Sequence, residues 1–139
     1  MKSKRLYLFI DGAARGNPGP AGIGVVIQDE HKKKVKEFYK YIGEATNNIA
    51  EYNALIYGLQ EALMLHADEV IVSVDSELVA EQLNGAYRVK SQNLKTLFDQ
   101  ALHMLSSFKH FEVRHIEREG NRDADRLANK AINLSGLNA

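Results

Sequence analysis

The chain contains no cysteine, so it can build neither a disulfide framework nor a thiolate-bound zinc or iron centre, and any metal must be held by oxygen or nitrogen ligands. It also lacks a long apolar run. After a basic start at residues 1–5, the apolar stretch meets the charge of Asp11, too soon for a signal-peptide core or a membrane span, and a cytoplasmic protein is expected. Nor is there an excess of charge of one sign. Eighteen basic and 18 acidic side chains cancel, so an electrostatic partner must be met by a local patch. Repeats, low-complexity tracts and linkers are missing, and one Gly/Pro-dense stretch, Gly16-Asn17-Pro18-Gly19-Pro20, reads as a tight turn. Because that loop lacks a Gly-Lys-Ser/Thr ending, it is not a nucleotide P-loop.

What is present suits one compact domain over residues 1–139, expected to be monomeric, with 45% apolar and 26% charged residues. Basic residues gather locally at Lys32, Lys33, Lys34 and Lys36, at Arg88, Lys90 and Lys95, and at Arg114, Arg118, Arg122 and Arg126. Each run taken alone reads as a solvated face.

Residues 6–10 suit a central strand, residues 22–28 a second, and residues 35–42 a third with alternating polarity, joined by short links into an antiparallel meander. Thr46, Asn47 and Asn48 offer N-caps for a long helix with the apolar stripe Tyr52, Leu55, Ile56, Leu59 and Leu63. That helix reaches a buried strand at residues 70–74, which a right-handed crossover makes parallel to the first strand. A short helix near residues 76–83 follows, then one carrying Leu94, Leu97, Phe98, Ala101, Leu102 and Leu105, a strand at residues 111–116, and a last helix with Ala124, Leu127, Ala128, Ala131 and Ile132. The order describes an α/β domain with a mixed five-stranded sheet, three strands antiparallel and two parallel, flanked by helices.

Asp11, Glu51, Asp75 and Asp125 each fall where a predicted strand or helix begins or ends. Brought to one surface they would repel strongly, and divalent cations are the usual remedy. Singly, each also has a plain reading: a turn residue, an N-cap, half of a capping box, a first-turn acid. His115 falls in phase with Phe111 and Val113, which predicts a packed or hydrogen-bonded side chain rather than a catalytic one.

The residues Asp11-Gly12-Ala13, the Gly16–Gly22 loop, Thr46-Asn47-Asn48 with Glu51, Asp75-Ser76, and Asn121 with Ala124-Asp125 and Leu127-Ala128 together resemble type 1 ribonuclease H. The resemblance covers nearly the whole chain, in the family's order. It implies the ribonuclease H-like fold and a quartet, Asp11, Glu51, Asp75 and Asp125, that binds two magnesium or manganese ions and cuts the RNA strand of an RNA–DNA hybrid, leaving 5′-phosphate and 3′-hydroxyl ends. Two hard cations about 4 Å apart suit such a phosphodiester cut without a covalent intermediate. The same resemblance points to Gly12, Asn17, Thr46, Asn47 and Asn48 as substrate-binding residues on the two backbones, with little sequence preference. Double-stranded RNA is a second duplex to test.

Two departures from the family pattern stand out. Residues 84–93 pass almost directly between helices, leaving no room for the extra basic helix of many members, so hybrid binding would lean on Arg88, Lys90 and Lys95. The loop at residues 117–122 has no histidine where many members carry one, and Glu119 is the candidate substitute.

Overall fold

A computed structural model describes residues 3–136. The elements run β1 (Arg5–Ala14), β2 (Gly19–Gln28), β3 (Lys34–Ala45), α1 (Asn47–Met64), β4 (Glu69–Val74), α2 (Glu77–Leu83), α3 (Gln92–Leu105), β5 (His110–His115), a 3-10 turn (Arg118–Asn121) and α4 (Arg122–Ser135). The strands form one sheet in the order β3-β2-β1-β4-β5. β1, β2 and β3 pair antiparallel, while β4 lies parallel to both β1 and β5, as the crossover lengths require. Among the described residues no helix is long and apolar enough to cross a membrane.

Strand alternation assigns the two faces. A Cβ on Gly58 of α1 would meet Ile10, Leu8 and Val25, whereas one on Gly24 would strike the Ala124 carbonyl of α4 at 2.1 Å. Consecutive β2 residues point to opposite sides, so α1 covers one face of the sheet and α4 the other. Leu8, Ile10, Ile23, Val25, Tyr52, Leu55 and Leu59 are fully buried between sheet and α1. On the other face, Gly22 and Gly24 let the α4 backbone lie against β2.

Three expectations need adjustment. β1 does not stop at Ile10: β2 continues alongside it, pairing Asp11 with Gly24 and Ala14 with Ala21, so Asp11 lies within a strand rather than at its end. Leu63 is exposed, because Ala62 takes the inward position in the last turn of α1. His115 is exposed too, since β5 is an edge strand on which Val113 is buried but His115 is not.

Candidate active site

The register of the central strands creates the site. β1 pairs with β4 from Arg5↔Glu69 to Phe9↔Ser73 and no further, so beyond Phe9 β1 keeps β2 on one side and an open flank on the other. Asp11 lies on that open stretch, and Asp75 follows β4 immediately. α1 adds Glu51 in its second turn, where Gly12 allows contact: a Cβ at Gly12 would fall 2.2 Å from the Ala50 backbone carbon. Through this approach the Gly12 N–H donates to Glu51 Oε1 at 2.7 Å.

Carboxylate oxygens of Asp11, Glu51 and Asp75 lie within 4.8 Å of one another. Asp11 and Glu51 are buried, at 6% and 5% exposure. Asp125, on α4, reaches Asp11 and lines the same cleft of about 420 Å³, together with Asn47, Asn48, Ser76, Arg118 and Asn129. Asn129, one turn after Asp125, donates Nδ2 to the Asp125 carbonyl at 3.0 Å and to its Oδ1 at 3.3 Å.

Such crowding is costly to charged groups. Burial pushes Asp11 up, and the shared hydrogen bond with Glu51 and repulsion from Glu51 and Asp75 push it further. Burial also raises Glu51, against the hydrogen bonds with Asp11 and the Gly12 N–H, which favour its ionised form. Glu51 Oε2 is buried without a hydrogen-bond partner. A hard, all-oxygen donor set with an orphaned carboxylate oxygen fits a divalent cation.

The expected substrate-binding residues gather beside this cluster. Asn47 Oδ1 accepts from the Ala14 N–H and Asn17 Oδ1 accepts from the Asn47 N–H, both at 3.1 Å, which ties the end of β1, the 15–18 loop and the start of α1 together. Thr46 caps α1 by accepting from the Ile49 N–H at 3.2 Å. A second cleft, lined by Asn17, Thr46, Asn47, Asn48, Ser91, Asn93 and Leu94, shares Asn47 and Asn48 with the acidic one. Gly12 lines the acidic cleft with its backbone. Glu119 is exposed and stands apart from the acidic group, sharing a smaller cleft with Arg118, Arg122 and Asp125.

A model of the "Reverse transcriptase-like" family matches residues 9–131. The ribonuclease H of Pseudomonas putida is 31% identical, with 94% of this chain and 95% of that protein covered. The chain belongs to the ribonuclease H family. The "Bifunctional protein Rv2228c" of Mycobacterium tuberculosis is 44% identical over 97% of the chain, which spans 37% of that relative's length. A structure of the N-terminal ribonuclease H domain of that protein superposes with a TM-score of 0.93 at 41% identity, covering 98% of this chain and 99% of that one. LC11-RNase H1, solved in complex with an RNA/DNA hybrid, matches at a TM-score of 0.88 and 45% identity over 94% of this chain and 98% of its own.

Within this ribonuclease H-family domain, sequence reasoning passed over three side chains that shape the cleft. Asn129 carried a signal in its i+4 spacing from Asp125, and Arg118 one in its basic run. Asn121 stood among the residues that carry the family resemblance without a role of its own, because its reach to Ile10 and Asp75 has no local signal.

Proposed function

We propose that the chain is a metal-dependent endoribonuclease that hydrolyses the RNA strand of RNA–DNA hybrids, with Asp11, Glu51, Asp75 and Asp125 as its acidic quartet. The observation that carries this reading is the convergence of the Asp11, Glu51 and Asp75 carboxylates within 4.8 Å, with Glu51 Oε2 buried and unpartnered. The hybrid-bound relative supports the substrate class.

Asp11, Glu51 and Asp75 would hold two divalent cations, Mg2+ or Mn2+, with Asp125 completing the set. Bound there, the pair would supply Lewis acidity toward a phosphodiester and its attacking water, leaving 5′-phosphate and 3′-hydroxyl ends. The chain itself does the rest. The Gly12 N–H fixes one oxygen of Glu51 and leaves the other for ligation. Asn129 steadies Asp125 from the same helix face. Beyond the acids, the amide groups of Asn17, Asn47 and Asn48 and the Thr46 hydroxyl line the path of a duplex backbone. That path continues at the start of α3, where Ser91 and Asn93 lead to a groove lined by Tyr87, Arg88 and Lys95. Such groups bind phosphate and sugar rather than base edges, so cleavage carries little sequence preference.

We read the protein as a cytoplasmic monomer, which size-exclusion chromatography checks for the oligomeric part. Purified protein with Mn2+ or Mg2+ is expected to cut a labelled hybrid and to leave its DNA strand intact. An inert wild type, or undiminished cutting by Asp11→Asn, overturns the assignment. The same assay on double-stranded RNA decides whether the deoxyribose strand is required.

A further inference from the structure

We propose that Asn121 is a positioning residue whose forked amide sets the Asp75 carboxylate against Asp11 for cation binding, an inference that rests on the metal-site reading above. Asn121 stands at the N-cap of α4, where an asparagine side chain ordinarily accepts a hydrogen bond from the first turn. It makes no such bond. Its Nδ2 instead reaches across the fold and donates twice, to the Ile10 carbonyl at 2.8 Å and to Asp75 Oδ2 at 3.1 Å. The residue is 1% exposed, and its Oδ1 is buried with no partner. Thus the side chain gives up both the helix cap and its own acceptor. Buried polar groups are rarely left unmatched, and where local rules are broken in this way a site is usually the reason.

The place of the fork supplies that reason. The β1–β4 ladder ends at Phe9↔Ser73, so Ile10 and Asp75 lie just beyond its last rung. There the strands lose the bonds that hold their register, at the point where Asp11 and Asp75 must stay at a fixed separation. One amide with two hydrogens bridges the gap. It occupies a single oxygen of Asp75 and leaves the other for a ligand. Being neutral, it orients the carboxylate without cancelling the charge that attracts a cation, which a lysine or arginine would do.

The test is calorimetric titration of Mn2+ into wild type, Asn121→Ala and Gln82→Ala, each first shown to be folded by circular dichroism. Gln82 is a matched control: it is buried, its Oε1 accepts from the Tyr52 hydroxyl at 2.7 Å, and it touches no acid of the cluster. Asn121→Ala is expected to bind Mn2+ about 10–100-fold more weakly, the usual effect of losing a group that orients a metal ligand. Gln82→Ala is expected to melt at a lower temperature with unchanged Mn2+ affinity. Wild-type affinity in Asn121→Ala, or an equal loss in both variants, overturns the proposal. If Asn121→Ala does not fold, 15N NMR of the wild type during a Mg2+ titration replaces it, and an Asn121 side-chain amide that does not shift is the overturning result. A wild type that binds no Mn2+ is a different outcome, removing the metal-site reading and this inference with it.

Discussion

Asp11 shows how a single residue can oppose the fold that holds it. Its carboxyl is desolvated and faces Glu51 and Asp75, so in metal-free protein the isosteric Asp11→Asn should relieve repulsion and raise stability by about 1 kcal/mol, or about 4 °C in melting temperature. The same change should lower hybrid cleavage by at least about a hundredfold, because several kcal/mol of charge stabilisation depend on the ligand set. Thermal melts and a cleavage assay on one preparation check both. The pH dependence has a definite sign. Asp11 and Glu51 bind a proton more tightly folded than unfolded, since burial raises both above their ordinary values of 3.8 and 4.5. Their contribution to stability is therefore full below that range and is lost as pH rises, through about 7 for Glu51 and through about 11 for Asp11. Metal-free melting temperatures should fall across that window, and Mn2+ should restore them most at the alkaline end, where no proton competes for the oxygens.

Among the elements, the approach of α1 to β1 decides whether there is a site at all. Gly12→Ala would put a Cβ 2.2 Å from the Ala50 carbon and 2.4 Å from the Glu51 nitrogen, both rigid backbone atoms, so the helix must move away. Urea denaturation should register a loss of about 3 kcal/mol, the upper end for overpacking, and Mn2+ affinity should fall with it because Glu51 travels with the helix. Thr46→Val tests the start of the same helix. Losing the bond to the Ile49 N–H should cost about 1 kcal/mol in the same measurement while leaving Mn2+ affinity unchanged, since Thr46 touches none of the acids.

For the whole molecule, zero net charge means that duplex binding must rest on local groups. α2 passes to α3 through residues 84–91, with no further helix between, and this link carries Arg88 and Lys90 while Lys95 follows in α3. If these three contact phosphates, replacing all of them by alanine should weaken hybrid binding and reduce the slope of log affinity against log salt by about 2–3, as measured by fluorescence anisotropy. Much of this architecture was legible in the chain. Apolar runs marked the central strands and alternation the third, the length of the crossover made β4 parallel to β1, and four acids in separate motifs marked the candidate site, because periodicity and connection length are local properties. What the tertiary structure alone decided was distance. Asp11 lies inside a strand because β2 pairs with β1 as far as Ala14, and Asn121 bridges Ile10 and Asp75 just beyond the point where the β1–β4 pairing ends. These pairings join residues far apart along the chain, so they leave no mark in the pattern of any one segment.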